Sequence, residues 1–315
     1  MPDRNFIKDV LWGVAIGDAI GVPVEFLSRS EMKKNPLTGM SGYGTHEQPP
    51  GTWSDDSSLT FCLAEMLCGE YDLKNLAKRF VNWKEYAYWT PHGEVFDIGI
   101  TTSSAIYRLA TGTPPVLAGD GGEGSNGNGS LMRILPLLFY IRNKKVEERF
   151  LITKDISSLT HSHIRSVISC FIYLEIALEI IKGSDKLDAY LKTCSAVSTF
   201  LLKTDICTRT ELEVFRRILS GDIAELKEEE IHSSGYVIHT LEATLWSVLK
   251  TDTYTEAVLK AVNLGSDTDT TGAVAGGLAG LIYGWQNIPD DWVAAMVKKN
   301  EIDDLADRLY AKTYL

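Results

Sequence analysis

The chain has 315 residues, 44% hydrophobic and 23% charged, a globular composition with ample apolar side chains for a buried core. Its 42 acidic and 31 basic residues give a formal charge of −11; this argues against non-specific nucleic-acid binding and against docking on an anionic membrane, while leaving room for a local pocket that takes an anionic small ligand. The five cysteines are scattered and form no CxxC pair, as in a reduced cytoplasmic protein.

Taken in chain order, the pattern is helical. The first apolar stretch, 10–24, contains Asp18 and follows Asp3, Arg4, Lys8 and Asp9 rather than a basic segment, so no cleaved leader is expected. Gly13, Gly17 and Gly21 recur there every four residues. Leu59, Cys62, Leu63, Met66 and Leu67 make the i, i+3, i+4 stripe of an amphipathic helix, and Leu76, Phe80, Trp83 and Ala87 predict another over 73–89. Residues 119–130, GDGGEGSNGNGS, read either as a flexible linker or as a ligand loop feeding a helix that starts near Ser130. Residues 164–181 are apolar on most faces and predict a central buried helix; 235–249 and 290–314 also read as helices.

The apolar stretch 271–283 is shorter than the roughly 20 residues of a membrane span. Around it Gly272, Gly276, Gly280 and Gly284 repeat the four-residue spacing. Glycine inside a helix costs about 1 kcal/mol relative to alanine, so a ridge of glycines makes sense where another backbone lies against it. Each ridge is therefore expected in the core, but the two are not expected to face one another. Period-2 alternation, repeats and linker boundaries are missing. The expectation is an all-α fold in a single domain over 1–315.

Chemistry concentrates at a few points. Ser54-Asp55-Asp56-Ser57 follows the Pro49-Pro50-Gly51 turn and opens a helix, where serine and acids are ordinary capping residues. Ser266-Asp267-Thr268-Asp269-Thr270 opens the glycine-ridged helix in the same way, and capping accounts for one acid, not two acids and two threonines. Taken together, Asp55, Asp56, Asp267 and Asp269 are an oxygen donor set for Mg²⁺, Mn²⁺ or Ca²⁺ rather than zinc. If they converge they would repel without a cation, and a pair of ions about 3.5–4 Å apart generates a nucleophilic water. Glu25 lies in the loop after Gly21 and Pro23, beside Val24 and Phe26; it is either an acid–base group raised by apolar neighbours or a surface residue. Asp18, inside an apolar helix, reads as a buried hydrogen-bonding strut. The run Asn126 to Arg133 offers close backbone approach, a helix N-terminus and the Arg133 charge to a diphosphate, without the GK[ST] ending of a P-loop. Asp97 either caps the next helix or orders a water at a metal centre; His161 and His163, two apart, share no helix face; Tyr236 stacks on a base or sugar, or sits in the core.

These pieces resemble one family, the ADP-ribosylglycohydrolases, which includes ADP-ribosylarginine hydrolases and dinitrogenase-reductase-activating glycohydrolases. The matching text is GVAIGDAIGVPVEF, GTWSDDSS, DIGITTSSA, NGNGSLMR, LTHSH, SGYVIHTLEATLW and NLGSDTDTTGAVAGGLAG, in family order over nearly the whole chain. The resemblance implies a helical domain with a central dinuclear metal cleft holding two divalent cations, Mg²⁺ or Mn²⁺, on Ser54, Asp55, Asp56, Asp267, Asp269 and Thr270. It implies two catalytic residues, Glu25 near the scissile bond and Asp97 near the metals. It also implies that Asn126, Gly127, Asn128, Gly129, Ser130, Leu131 and Met132 hold the ADP-ribose phosphates, and that His161, Gly235 and Tyr236 contact the ligand. Ser54 stands where many members carry threonine; both supply a hydroxyl.

The expected activity is hydrolysis of the bond between ADP-ribose and a modified protein side chain, arginine first, with no nicotinamide cofactor. The expected partner is the ADP-ribose moiety of a modified protein or small molecule, with neither nucleic acid nor membrane bound, and with a cytoplasmic monomer as the expected state. The alternatives are cleavage of serine-linked or O-acetyl-ADP-ribose, a two-metal phosphoesterase, and a non-catalytic ADP-ribose binder.

Overall fold

The computed structural model describes residues 4–314. It is 67% helical. Among the described residues the only β pairing is three isolated bridges, so the all-α expectation holds.

Two helices, Phe6–Gly21 and Thr268–Tyr283, form the centre and are buried over nearly their whole length. Their glycine ridges pack directly on each other, contrary to the expectation above. A Cβ on Gly13 would strike the Gly276 carbonyl, one on Gly17 the Gly272 carbonyl, and one on Gly280 the Asp9 carbonyl. A glycine-only seam lets the backbones close to a distance that any side chain would forbid, so each ridge is the reason for the other. Buried tyrosines fasten the pair from outside: the Tyr254 hydroxyl donates to the Gly13 carbonyl at 2.8 Å and the Tyr173 hydroxyl to the Val274 carbonyl at 2.8 Å. Tyr173 belongs to Ile164–Ile181, the predicted central helix, which is buried along most of its length. Val237–Leu249 and Tyr254–Val262 also pack against Thr268–Tyr283. Among the described residues no helix is long and apolar enough to cross a membrane.

Two predicted helices are cut short by tertiary contacts. The 73–89 pattern ends as a helix at Tyr86, where Ala87 turns left-handed (φ 54°) and frees Tyr88 and Trp89 to hydrogen-bond Glu65. The 290–314 pattern breaks into Asp290–Ala295 and Lys299–Tyr314. At the break Val297 N–H donates to the Gly51 carbonyl at 3.3 Å and Lys298 Nζ to the Thr90 carbonyl at 2.6 Å. The interruption thus braces the turn that leads into Ser54.

Candidate active site

The glycine crossing ends where the chemistry begins. Gly21 lies against the backbone of Thr268 and Asp269, and the Thr268 hydroxyl donates to the Gly21 carbonyl at 2.8 Å. The loop after the first helix is thereby held beside the start of the second. Phe26 N–H donates to the Ser266 carbonyl at 2.7 Å, and Ser266 N–H to the Leu27 carbonyl at 2.7 Å. Phe26 (φ 65°), Ser266 (φ 69°) and Asp97 (φ 47°) are all left-handed, a costly backbone state for residues other than glycine that concentrates at functional sites.

Asp18 is the strut the sequence predicts. Its carboxylate accepts from the backbone N–H of Ser54 at 2.9 Å, from Ser57 N–H at 3.0 Å and from the Ser57 hydroxyl at 2.6 Å. It thus caps the Asp55–Leu67 helix from the neighbouring first helix, while Ser54 Oγ accepts from Asp56 N–H. Capping is therefore done by Asp18 and Ser54, and the carboxylates of Asp55 and Asp56 are left for something else. Asp56 Oδ2 accepts from Ser54 Oγ at 3.1 Å and from Thr270 Oγ1 at 3.2 Å, which joins the two acidic helix starts. Asp267 occupies the N-cap position of its helix without capping it, and accepts instead from Asn128 Nδ2 at 2.9 Å. Asp56 Oδ1 and Asp269 Oδ2 are buried with no hydrogen-bond partner.

One oxygen each from Glu25, Asp267 and Asp269 lies within 4.8 Å of the others; the same holds for ligand atoms of Glu25, His46 and Asp97. Among the described ion pairs none reaches Asp55, Asp56, Asp267 or Asp269. Burial, reinforced by the neighbouring carboxylates, pushes Asp55, Asp56 and Asp269 well above the usual carboxylate range. Burial raises Glu25 to about 7, a rise opposed by the His46 hydrogen bond and added to by Asp97 and Asp267. Asp55, Asp56, Asp267 and Asp269, crowded in this way with orphan oxygens and with no side-chain cation paired to them among the described residues, are a donor set that fits a hard divalent cation.

The glycine-rich loop is stitched to the segment at Gly235 and Tyr236. Asn128 N–H donates to the Gly235 carbonyl at 3.0 Å and Val237 N–H to the Asn126 carbonyl at 3.0 Å. Asn128 also bridges to Thr240 at 2.9 Å, so one side chain links the loop, the 237–249 helix and Asp267. Gly127 and Gly129 pass over the His161 ring. His161 is buried beneath the loop with Nδ1 on Thr160 Oγ1 at 2.8 Å; burial, together with the nearby Arg133 charge, lowers it to about 3, so it is neutral. Ser130, Leu131 and Met132 are buried, and the Ser130 hydroxyl accepts from Ser157 at 3.0 Å. Gly235 is exposed and Tyr236 half-buried, its ring edge-on to His239 at 5.0 Å.

Two expectations about this loop are corrected. No helix starts at Ser130: the chain makes turns to Arg133, and helical structure resumes only at Leu135. Arg133 is fully buried, with its guanidinium hydrogen-bonded to the Gly129 and Ile156 carbonyls and stacked 4.9 Å over Phe80. It props the loop from within and offers no charge to an anion; of the two glycines beside it, Gly127 is half-buried and Gly129 buried.

Sequence reasoning missed His46. It hydrogen-bonds Glu25, and its neighbour Thr45 donates to the Glu25 carbonyl at 2.6 Å. Gly44 (φ 46°) makes this possible by lying against the Pro23 carbonyl, where a Cβ would clash. The signal present in the sequence was the turn punctuation from Gly42 to Gly51 just before the acidic pair. A roomy cavity of about 670 Å³, lined by Arg4, Phe6, Lys186, Tyr283 and Tyr310, lies at the opposite end of the central pair. Its cations are already occupied by backbone carbonyls.

The ADP-ribosylglycohydrolase family model matches residues 2–315, and the chain belongs to that family. It is 34% identical to ADP-ribosylarginine hydrolase Tri1 of Serratia proteamaculans (strain 568), over 96% of this chain and 78% of that protein. It is 27% identical to the ADP-ribosyl-[dinitrogen reductase] glycohydrolase of Rhodospirillum rubrum, over 92% of this chain and 90% of that one. A solved ADP-ribosylglycohydrolase-related protein complex superposes with a TM-score of 0.81 at 30% identity, covering 99% of this chain and all of the other.

Proposed function

We propose that this glycohydrolase removes ADP-ribose from modified arginine side chains of proteins, as a single-domain monomer in a reducing cytoplasm. We further propose that it works with two divalent cations, Mg²⁺ or Mn²⁺, held by Ser54, Asp55, Asp56, Asp267, Asp269 and Thr270. The observation that carries the metal reading is the pair of orphan buried oxygens, Asp56 Oδ1 and Asp269 Oδ2, on helix starts joined through Thr270. Cations bound there supply Lewis-acid polarisation of ribose oxygens and neutralise the crowded carboxylates.

The chain's own groups do the rest. The backbone of Asn126–Met132 and the Gly235–Tyr236 segment hold the diphosphate and its nucleoside. Glu25, whose carboxyl burial raises in the metal-free chain, is the proton-handling group. It takes the proton of the water that attacks the anomeric carbon and returns one to the departing nitrogen as the C–N bond breaks, so the products are ADP-ribose and unmodified arginine. Asp97 and His46 face Glu25 and fix its orientation. Similarity to an ADP-ribosylarginine hydrolase supports the choice of linkage.

Mass spectrometry of products from arginine-linked and serine-linked ADP-ribosyl proteins tests this reading. Free ADP-ribose and restored arginine are expected. AMP with ribose phosphate would mean diphosphate cleavage, and tight ADP-ribose binding without turnover would mean a binder.

A further inference from the structure

Phe26 directly follows Glu25, yet 66% of it is exposed, on a left-handed backbone (φ 65°) locked by the hydrogen bond to Ser266. Apolar surface left uncovered at a conformationally costly position beside a catalytic group marks a binding contact rather than a packing one. Phe96, half-buried, directly precedes Asp97, which is itself left-handed (φ 47°). The His46 ring lies between the two, 6.0 Å from Phe26 and 5.3 Å from Phe96. Glu25 and Asp97 both lie against that same imidazole, within 4.8 Å of each other. The mouth is therefore an aromatic strip interleaved with carboxylates. Such a surface favours a planar cation on an apolar stem, because a guanidinium stacks on ring faces and pairs with carboxylates, and its methylenes lie on the phenyl edges. A hydroxyl acceptor gains from none of these contacts.

We propose that Phe26 and Phe96, on either side of His46, form the acceptor subsite, which grips the guanidinium and methylene stem of the modified arginine and so sets the preference for cationic over hydroxyl acceptors. The proposal rests on the arginine reading above. It assigns the side-chain half of the substrate, whereas the glycine loop takes the nucleotide half.

The test is Phe26→Ala, Phe96→Ala and the double variant, with Phe26→Tyr as the conservative control. Each is assayed for kcat and KM on arginine-linked ADP-ribosyl protein and for the Kd of ADP-ribose by calorimetry. The alanine variants should lose roughly three- to thirtyfold in kcat/KM, chiefly through KM, the range that cation–π contacts span. Phe26→Tyr should retain wild-type values, and the Kd for ADP-ribose should not move. Phe26 is exposed, so its alanine variant tests the idea even if Phe96→Ala folds poorly. Wild-type turnover with insensitive variants, or parallel weakening of ADP-ribose binding, would overturn the subsite alone. A wild-type enzyme inert on arginine linkages but active on serine linkages would overturn the arginine reading and, with it, this assignment.

Discussion

The two ends of the Thr268–Tyr283 helix differ in one respect that separates structure from function. At the C-terminal end every strong charge has a partner within the chain. Arg4 donates to the Gly280 carbonyl at 3.0 Å and the Leu281 carbonyl at 2.7 Å, and its Nε to Asp9 at 2.6 Å. Asp9 also accepts from Trp285 N–H at 2.8 Å. At the N-terminal end Asp267 and Asp269 meet Glu25 and Asp56, with buried oxygens unpartnered. Both ends carry buried aspartate on the same pair of helices; one was built with its own cation and the other without. The difference marks the second end as a place where something from outside the chain completes the electrostatics.

The comparison can be broken most decisively at the N-terminal end. Chelation should abolish turnover and added Mg²⁺ or Mn²⁺ should restore it, and Asp269→Ala and Asp56→Ala should each lose most activity and the metal-induced rise in Tm. Full turnover in excess chelator, with metal content verified as absent, would refute the cation reading. Next in size is Glu25→Gln, which should keep ADP-ribose affinity while kcat falls by about 10²–10⁴-fold. A near-normal kcat would return Glu25 to a passive role.

Gly276→Leu should destabilise by the upper part of the roughly 1–3 kcal/mol overpacking range or beyond, since its Cβ meets the Gly13 backbone rather than a movable side chain. An unchanged Tm would refute the seam. At the satisfied end, Arg4→Met strands the buried Asp9 carboxylate and should cost about 1–3 kcal/mol in denaturant titrations, with activity per folded molecule intact. A loss of metal affinity there would show that the two ends are not independent.

The smallest effect is in pH. Burial raises Asp18 to about 6 in the fold, above the roughly 3.9 of an unfolded chain. The native state therefore binds the proton more tightly, and the stability this contributes is present below about pH 4 and lost as pH rises through about 6. Asp55, Asp56, Asp269 and Glu25, also raised by burial, act in the same direction, so chelator-treated protein should melt higher at pH 5 than at pH 7.5, and Asp18→Asn should remove only the Asp18 share of that dependence. A metal-free Tm that climbs with pH would contradict this.

Much of the site was legible because its residues are clustered along the chain. The SDDS and SDTDT runs each hold two acids within three residues, and Asp18 stood out as a charge in an apolar helix. Arg133 was misread because a cation beside a glycine loop looks the same in sequence whether it points at a ligand or props the loop from inside. His46 was missed because its role depends on Gly44 closing onto Pro23, 21 positions earlier in the chain, and the turn residues around it do not say what they close onto. The 290–314 helix was overextended because its periodicity is real on both sides of a break created by the Gly51 turn.

By itself the sequence determined the helical class, the glycine ridges, the acidic helix starts and the glycine loop, all properties of residue type and short-range spacing. Only the tertiary structure decided that the ridges are each other's partners, that Asp18 relieves Asp55 and Asp56 of capping, and that Glu25, His46 and Asp97 meet. The reason is physical: periodicity reports which face of a helix is apolar, but not which backbone covers it. Convergence of like charges is a property of the packed chain, because no local preference favours it.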